Sequence, residues 1–138
     1  MDLNLTKRGQ YVVRTAIALA RAHDKGYLKT REIAAAMNVP GQYAPQVLVL
    51  LRKAGLTESR SGASGGHRLA RPPDRISLLD IVRAAEGEID ESACILSGGP
   101  CGHGNECILH RPWLSAQNAL LAALASTTLE SLAALEEA

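Results

Sequence analysis

The apolar positions along most of the chain recur at the spacing of amphipathic helices. From residue 6 to residue 23 they recur every three to four positions, which predicts a first helix. Thr30 is placed to cap a short second helix over residues 31–37. A turn at residues 38–41 leads into a third helix over residues 42–54, whose apolar stripe comprises Tyr43, Val47, Leu50 and Leu51. A short helix, a turn and another helix are the outline of a helix-turn-helix.

Two short strands follow, joined by a turn that contains three glycines. Residues 56–60 and 67–70 have the composition of strands, and residues 61–66 form the turn between them. A two-stranded ribbon directly after a helix-turn-helix is typical of a winged helix, although a flexible hairpin is the alternative. The turn does not fit a phosphate-binding P-loop, because no Lys-Ser/Thr pair follows it. Residues 52–75 contain six basic and two acidic side chains, as expected where a wing contacts phosphates.

The remainder of the chain predicts a helix, an irregular stretch and a long apolar helix. Ser77 and Asp80 fit a capping box that opens a helix ending at Gly87. Residues 88–106 are irregular and rich in glycine, and the long helix begins between residues 107 and 112, where proline is still tolerated. Its broad apolar surface comprises Trp113, Ala116, Ala119, Leu120, Leu121, Ala123 and Leu124.

This long helix is either a core helix or a dimer interface. The preceding elements already make a small core, so its apolar surface favours a homodimer. Thr127 and Thr128 interrupt the pattern before a short final helix over residues 129–137.

Composition and charge narrow the class of protein. The 138 residues are 46% hydrophobic and 21% charged, which indicates a folded domain, and the absence of Phe favours packed helices. The formal net charge is +1, but residues 1–75 hold 13 basic and 5 acidic side chains, whereas residues 76–138 hold 2 and 9. The asymmetry indicates either a polyanion-binding part or two surfaces that attract each other. Without an apolar run of about 18 residues or a signal-peptide layout, the sequence predicts a cytoplasmic protein with no membrane partner.

All three cysteines lie within 14 positions of one another, in a glycine-rich segment. Cys94, Cys101 and Cys107 are followed by His110, and a set of three thiolates and one imidazole suits either tetrahedral zinc or an iron–sulfur cluster. His103 is the competing histidine, and its position inside the loop makes it the weaker candidate. Three unliganded thiols are the alternative, which we disfavour because buried structural cysteines rarely lie in polar, glycine-rich loops.

Together these segments resemble the IscR/NsrR/RirA family of bacterial iron–sulfur winged-helix regulators over essentially the whole chain. The specific element is the three-cysteine loop after a winged helix. The matching segments are residues 5–13, 51–56, 61–70 and 128–132 and the cysteine loop. The resemblance implies a homodimer in which the long C-terminal helices cross, and a cluster that controls which DNA the dimer binds.

Within that family, the segment from Cys107 to Trp113 resembles the IscR branch. That branch implies a 2Fe–2S cluster held by three cysteines and His110, with a 4Fe–4S cluster or zinc as alternatives. The nitric-oxide-sensing branch uses an acidic ligand in the first helix, where this chain has Gln10. The gap between Cys94 and Cys101 is one residue longer than the IscR branch implies. Pro112 lies soon after the predicted fourth ligand.

The resemblance and the charge pattern together predict the DNA-contacting residues. Gln42, Tyr43 and Gln46 are expected at base edges in the major groove, because glutamine forms two hydrogen bonds with adenine. Tyr43 has a core position as its alternative. Phosphates are expected to be held by Arg52, Lys53, Arg60 and Arg68. The other predicted DNA-binding residues are Thr30, Ser61, Gly62, Gly65, Gly66 and His67. Pro45 stands where the IscR branch has an acidic residue that determines specificity. Ser61 stands where the wing often has an arginine that enters the minor groove.

The sequence therefore predicts a mainly α protein with a small β-wing: a winged helix-turn-helix, a cysteine loop and a long C-terminal dimerisation helix. Residues 1–87 are expected to bind DNA and residues 88–138 to hold the cluster and the dimer contacts, within one compact protomer. The predicted function is a transcriptional regulator, commonly a repressor, that binds promoter DNA under control of an iron–sulfur cluster. A nitric-oxide-sensing repressor and a zinc-stabilised DNA-binding protein are the alternatives. No catalytic set is recognisable, so neither an enzyme nor a small-molecule substrate is predicted.

Overall fold

The computed structural model describes residues 3–88, 93–97, 99–102, 104 and 106–135. These residues form six α-helices and one two-stranded antiparallel sheet, which confirms the mainly helical fold with a small wing. None of the helices so described is long and apolar enough to cross a membrane. The helices are α1 (Lys7–Arg21), α2 (Thr30–Ala36), α3 (Ala44–Lys53), α4 (Leu78–Glu86), α5 (His110–Ser126) and α6 (Leu129–Ala133). The strands are β1 (Thr57–Arg60) and β2 (Gly66–Leu69).

The N-terminus of α1 is fastened to the C-terminus of α4. The Thr6 hydroxyl caps α1 by accepting the backbone N–H of Gly9 at 3.0 Å. One carboxylate oxygen of Glu86 accepts both the backbone N–H of Thr6, at 3.0 Å, and its hydroxyl, at 2.7 Å. A side chain at Gly9 would collide with that carboxylate. The negative charge also lies at the positive end of the α1 dipole, where it is stabilising.

The start of α2 differs from the expectation that Thr30 caps it. The helix begins at Thr30 itself, and the preceding residue, Lys29, occupies the N-cap position. The Glu32 carboxylate satisfies the Lys29 N–H at 3.2 Å, which leaves the Thr30 hydroxyl free to bind the His67 Nε2 at 3.2 Å. Thr30 therefore joins α2 to the wing.

The start of α3 also lies later than predicted. Residues 41–43 form a turn, and the helix begins at Ala44, so Gln42 and Tyr43 precede it and only Gln46 of the predicted base-reading residues is helical. Pro45 explains this start, because a proline lacks the N–H that positions beyond the first turn must donate. The helix buries Val47, Leu48 and Leu51.

The C-terminal helix α6 returns to the core of the winged helix. Leu129 is fully buried, and its N–H donates to the carbonyl of Ile76 at 2.8 Å. The predicted capping box is confirmed, since Ser77 Oγ accepts the Asp80 N–H at 3.0 Å and Asp80 accepts the Ser77 N–H at 2.9 Å. Within the described residues α6 ends at Ala133, which is earlier than the predicted helix over residues 129–137.

The wing is held to the helix-turn-helix by a third extended segment. Leu28 forms an antiparallel bridge with His67, on the free edge of β2, with hydrogen bonds of 2.8 and 2.7 Å. Gly66 adjoins this bridge with a φ of +142°, and a side chain there would collide with the Leu28 carbonyl. The wing and α2 are therefore one packed unit.

Gly66→Ala is expected to destabilise the protein by about 3 kcal/mol or more, because it adds a steric collision to a backbone conformation that only glycine adopts readily. Gly62→Ala is the matched control, since Gly62 also has a positive φ of +100° but open space around it. We expect it to cost about 1–2 kcal/mol. Chemical unfolding measures both variants, and equal losses would contradict the close approach of β2 to Leu28.

Candidate metal centre and nucleic-acid interface

The three cysteines converge on one point. The sulfur atoms of Cys94, Cys101 and Cys107 all lie within 4.8 Å of one another. Cys94 and Cys101 are buried, and Cys107 is partly exposed. Three soft donors at this spacing, opening to solvent on one side, are suited to a thiolate-bound metal.

The backbone of the segment brings these thiols together. Residues 93 and 100 form an antiparallel bridge, and the Cys94 N–H donates to the Gly99 carbonyl at 2.6 Å. The Cys107 N–H in turn points at the Cys101 sulfur, 3.4 Å away. This contact closes the loop between the second and the third cysteine.

The protonation of the thiols is uneven. Hydrogen bonds from Ser97, through its hydroxyl and its backbone, lower the pKa of the Cys94 thiol to about 6. Burial raises the pKa of the Cys107 thiol above its usual value. Cys94 is thus more readily ionised for metal binding than Cys107. Sequence reasoning missed Ser97, whose position three residues after a cysteine was the available signal.

The predicted fourth ligand, His110, lies beside this sulfur group but outside it. It is the first residue of α5, and its N–H donates to the Cys107 carbonyl at 3.1 Å. Its ring packs over Gly102, where a Cβ would be 3.3 Å from Cε1, and Nε2 lies 3.9 Å from the Glu106 carboxylate. Ligation by His110 stays a prediction. His103, the competing histidine, lies outside the described residues.

Two of the three predicted base-reading residues border a cleft between α1 and α3. Tyr43 and Gln46 line this cleft of about 290 Å³ together with Lys7, Arg8 and Tyr11. Tyr43 is 42% exposed, and its ring stacks on the buried Tyr11 with centroids 5.7 Å apart. Its position is therefore intermediate between core and surface. Lys7 and Arg8 were missed as candidate DNA contacts, although the basic excess of the first half of the chain was a signal for them.

Three other predicted residues meet in a second cleft, between α3 and the wing. Thr30, Arg52 and His67 line this cleft of about 210 Å³. Arg52 also donates to the Ser59 hydroxyl of β1 at 3.4 Å. Of the remaining predicted contacts, Gln42, Lys53, Ser61 and Gly62 are exposed, and Gly65 is buried in the turn of the wing.

The two wing arginines meet over a tyrosine that the sequence analysis did not select. The guanidinium carbons of Arg60 and Arg68 lie 5.3 and 4.5 Å from the centroid of the Tyr27 ring. Arg68 also pairs with Glu58 across the two strands. Tyr27 is far from the wing in sequence, so only the bridge at Leu28 could have revealed it.

Burial, and secondarily the nearby Arg52 charge, lower the pKa of His67 below its usual 6.5. A histidine whose folded-state pKa is depressed binds protons more readily when unfolded. We therefore expect the free energy of unfolding to fall as the pH drops through 6.5 towards the folded-state pKa, and His67→Gln to reduce this loss slightly.

Urea unfolding at pH 7.5 and at pH 5.5 measures the effect. His23→Gln is the matched control, because His23 is exposed and outside the wing. A loss of stability as large in His67→Gln as in the wild type would contradict the prediction.

Comparison with known proteins places this geometry in context. Residues 5–135 match the Rrf2 family, described as iron-dependent transcriptional regulators. An HTH-type transcriptional regulator of Neisseria meningitidis is 35% identical over 130 residues, which are 94% of this chain and 87% of that protein.

Two solved structures share the fold over nearly their full lengths. CymR, the global cysteine regulator of Bacillus subtilis, is 33% identical, with a TM-score of 0.80 over 99% of this chain and 100% of that one. The IscR of T. potens is 28% identical, with a TM-score of 0.77 over 100% of this chain and 96% of that one.

Proposed function

Because this chain belongs to the Rrf2 family of transcriptional regulators, we propose that it binds promoter DNA under the control of an iron–sulfur cluster. Regulators of this family bind DNA and form dimers. The observation that carries the proposal is the convergence of Cys94, Cys101 and Cys107 within 4.8 Å. A cluster bound there would supply a group whose presence and charge depend on iron supply and oxidants. The role is regulatory and not enzymatic.

The donor set suits this group. Three thiols, one of them with a pKa of about 6, supply the anionic soft ligands that cluster iron requires. His110, beside Gly102 and three residues after Cys107, is the candidate for a fourth ligand of a 2Fe–2S cluster. Zinc is the second candidate, because the same three sulfurs and one imidazole satisfy a tetrahedral site.

The DNA-binding half of the proposal assigns two kinds of contact. Gln46 and Tyr43 are proposed to meet base edges in the major groove, since both lie at the N-terminal end of α3. The cationic side chains near α3 and on the wing are proposed to contact phosphates, and these are Lys7, Arg8, Arg52, Lys53, Arg60 and Arg68. His67 and Thr30 hold the wing against α2 and so help to fix the positions of Arg60 and Arg68.

Dimerisation through α5 accounts for a helix that the protomer covers only in part. None of the described α5 side chains is buried, although the helix has 17 residues and a broad apolar surface. Leu120 is half exposed, while Leu121 and Leu124 border a cleft against α4. A second copy packed on this surface would pair the two copies of α3, the proposed recognition helix, as a two-fold operator requires.

The cysteine segment and the dimer helix are directly continuous. Cys107 accepts the first N–H of α5 through its carbonyl, so a rearrangement of the thiols alters the start of that helix. A shift of α5 would change the separation of two recognition helices in a dimer. We propose this as the route from the metal centre to the DNA, with residues 1–87 binding DNA and residues 88–138 carrying the centre and the dimer contacts.

Anaerobic purification followed by visible spectroscopy and by iron, sulfide and zinc assays tests the proposed cofactor. An iron–sulfur protein is coloured and contains iron and acid-labile sulfide. A colourless protein with one zinc per chain would contradict the iron–sulfur proposal and would identify zinc as the cofactor. Selection of genomic fragments by the purified protein, with and without the cofactor, tests the DNA-binding half independently.

A further inference from the structure

The wing has an outer face that carries charge and an inner face that is buried. Thr57 and Leu69, paired across the strands, are each 4% exposed and face the helices. Glu58 pairs with Arg68 on the opposite face, and Arg60 shares that face because side chains two apart in a strand point the same way. The outer face therefore presents two arginines and one carboxylate to solvent.

Tyr27 lies on the same outer face, at its edge. The bridge between Leu28 and His67 is antiparallel, so Tyr27 lies beside Arg68 in the adjacent register position. Both guanidinium carbons are within 5.3 Å of its ring centroid, inside the range of about 6 Å at which a cation is attracted to an aromatic face. One tyrosine thus holds two like charges close together.

Two neighbouring features of the wing support the packing of Arg60 and Arg68 on Tyr27. Across from Arg60 the register places Gly66, which has no side chain to separate Arg60 from Tyr27. At the end of the wing, the ammonium group of Lys29 donates to the Gly62 carbonyl at 3.0 Å. The segment over residues 27–29 therefore fixes both the face and the turn of the wing.

We propose that Tyr27 is a positioning residue for DNA binding, which holds Arg60 and Arg68 together so that both guanidinium groups meet backbone phosphates at once. The inference rests on the proposed DNA-binding function. Ordering a long, flexible arginine costs conformational entropy whenever it binds a ligand. A ring that already orders two arginines in the free protein removes part of that cost and favours the bound state.

Fluorescence anisotropy with a labelled 30-base-pair duplex, measured over a range of salt concentrations, tests the role. Tyr27→Leu is expected to weaken binding by about threefold to tenfold, since two arginines lose their ordering. Tyr27→Phe keeps the aromatic face and is expected to bind like the wild type. Thermal unfolding of each variant confirms that it is folded, and Tyr27→Ile replaces the leucine variant if that one is not.

A combined variant separates positioning from a purely structural effect. In an Arg60→Gln, Arg68→Gln background the salt dependence should become shallower, by about one ion for each lost phosphate contact. Tyr27→Leu should weaken binding no further there, because it acts only through the two arginines. An equal loss in both backgrounds, or no loss in the wild-type background, would overturn the proposal. A wild-type protein that binds no duplex even at low salt would instead overturn the DNA-binding function on which it rests.

Discussion

Replacing Cys101 by alanine is expected to abolish metal binding and to change the affinity for promoter DNA. Cys101 supplies one of three converging sulfurs and accepts the Cys107 N–H, so its loss removes both a ligand and a contact that closes the loop. Coupling between two sites in a regulator commonly amounts to about 5-fold to 150-fold in affinity, and we expect a change in that range. Metal analysis and anisotropy titration with a selected promoter fragment measure the two effects.

Ser97→Ala is the matched control in the same loop. Its hydroxyl hydrogen-bonds the Cys94 thiol but is not one of the three converging groups, so this variant should retain its metal. Equal affinity of the wild type with its cofactor and of Cys101→Ala at every promoter fragment would refute the proposed control of DNA binding. Loss of metal without any change in affinity would leave the centre with a purely structural role.

The second large effect is expected from Leu129→Ala in α6. Leu129 is fully buried, and removing its side chain leaves a cavity in the core where α6 packs against α1. Large-to-small substitutions at such positions cost about 2–5 kcal/mol. Chemical unfolding should show this loss at every protein concentration, because the contact lies within one protomer.

Leu120→Ala provides the contrast, since Leu120 is half exposed in the protomer. Its truncation should leave the folding of the protomer nearly unchanged and weaken the dimer. Sedimentation at several concentrations would then show more monomer than in the wild type. A wild-type protein that is monomeric at all concentrations would contradict dimerisation through α5.

The elements with local signals were predictable from the sequence, and those that depend on distant partners were not. Ser77 and Asp80 complete a capping box by themselves, so the start of α4 was predicted correctly. Thr30 looked like a cap for α2, but its hydroxyl binds His67, a residue 37 positions away that no local rule connects to it. The start of α3 was predicted two residues too early, at residue 42, because Tyr43 fits the apolar stripe, although Pro45 favours a start at Ala44.

In the candidate sites, too, the features with a local sequence signal were predictable and those that depend on distant partners were not. The spacing of the three cysteines predicted that they act together, and the glycines between them allowed the backbone to fold that closely. The contact of Tyr27 with two wing arginines depends on a bridge at Leu28 that joins an edge segment to β2. A single extended residue before a helix carries no pattern from which such a bridge could be predicted.

The carboxylate of Glu86 ties the two ends of the winged helix together. By accepting both hydrogen bonds from Thr6, it joins the N-terminus of α1 directly to the last residue of α4. The first turn of α1 carries Lys7 and Arg8, which line the cleft beside Gln46. The placement of these two cations therefore depends on a carboxylate that lies 80 residues further along the chain.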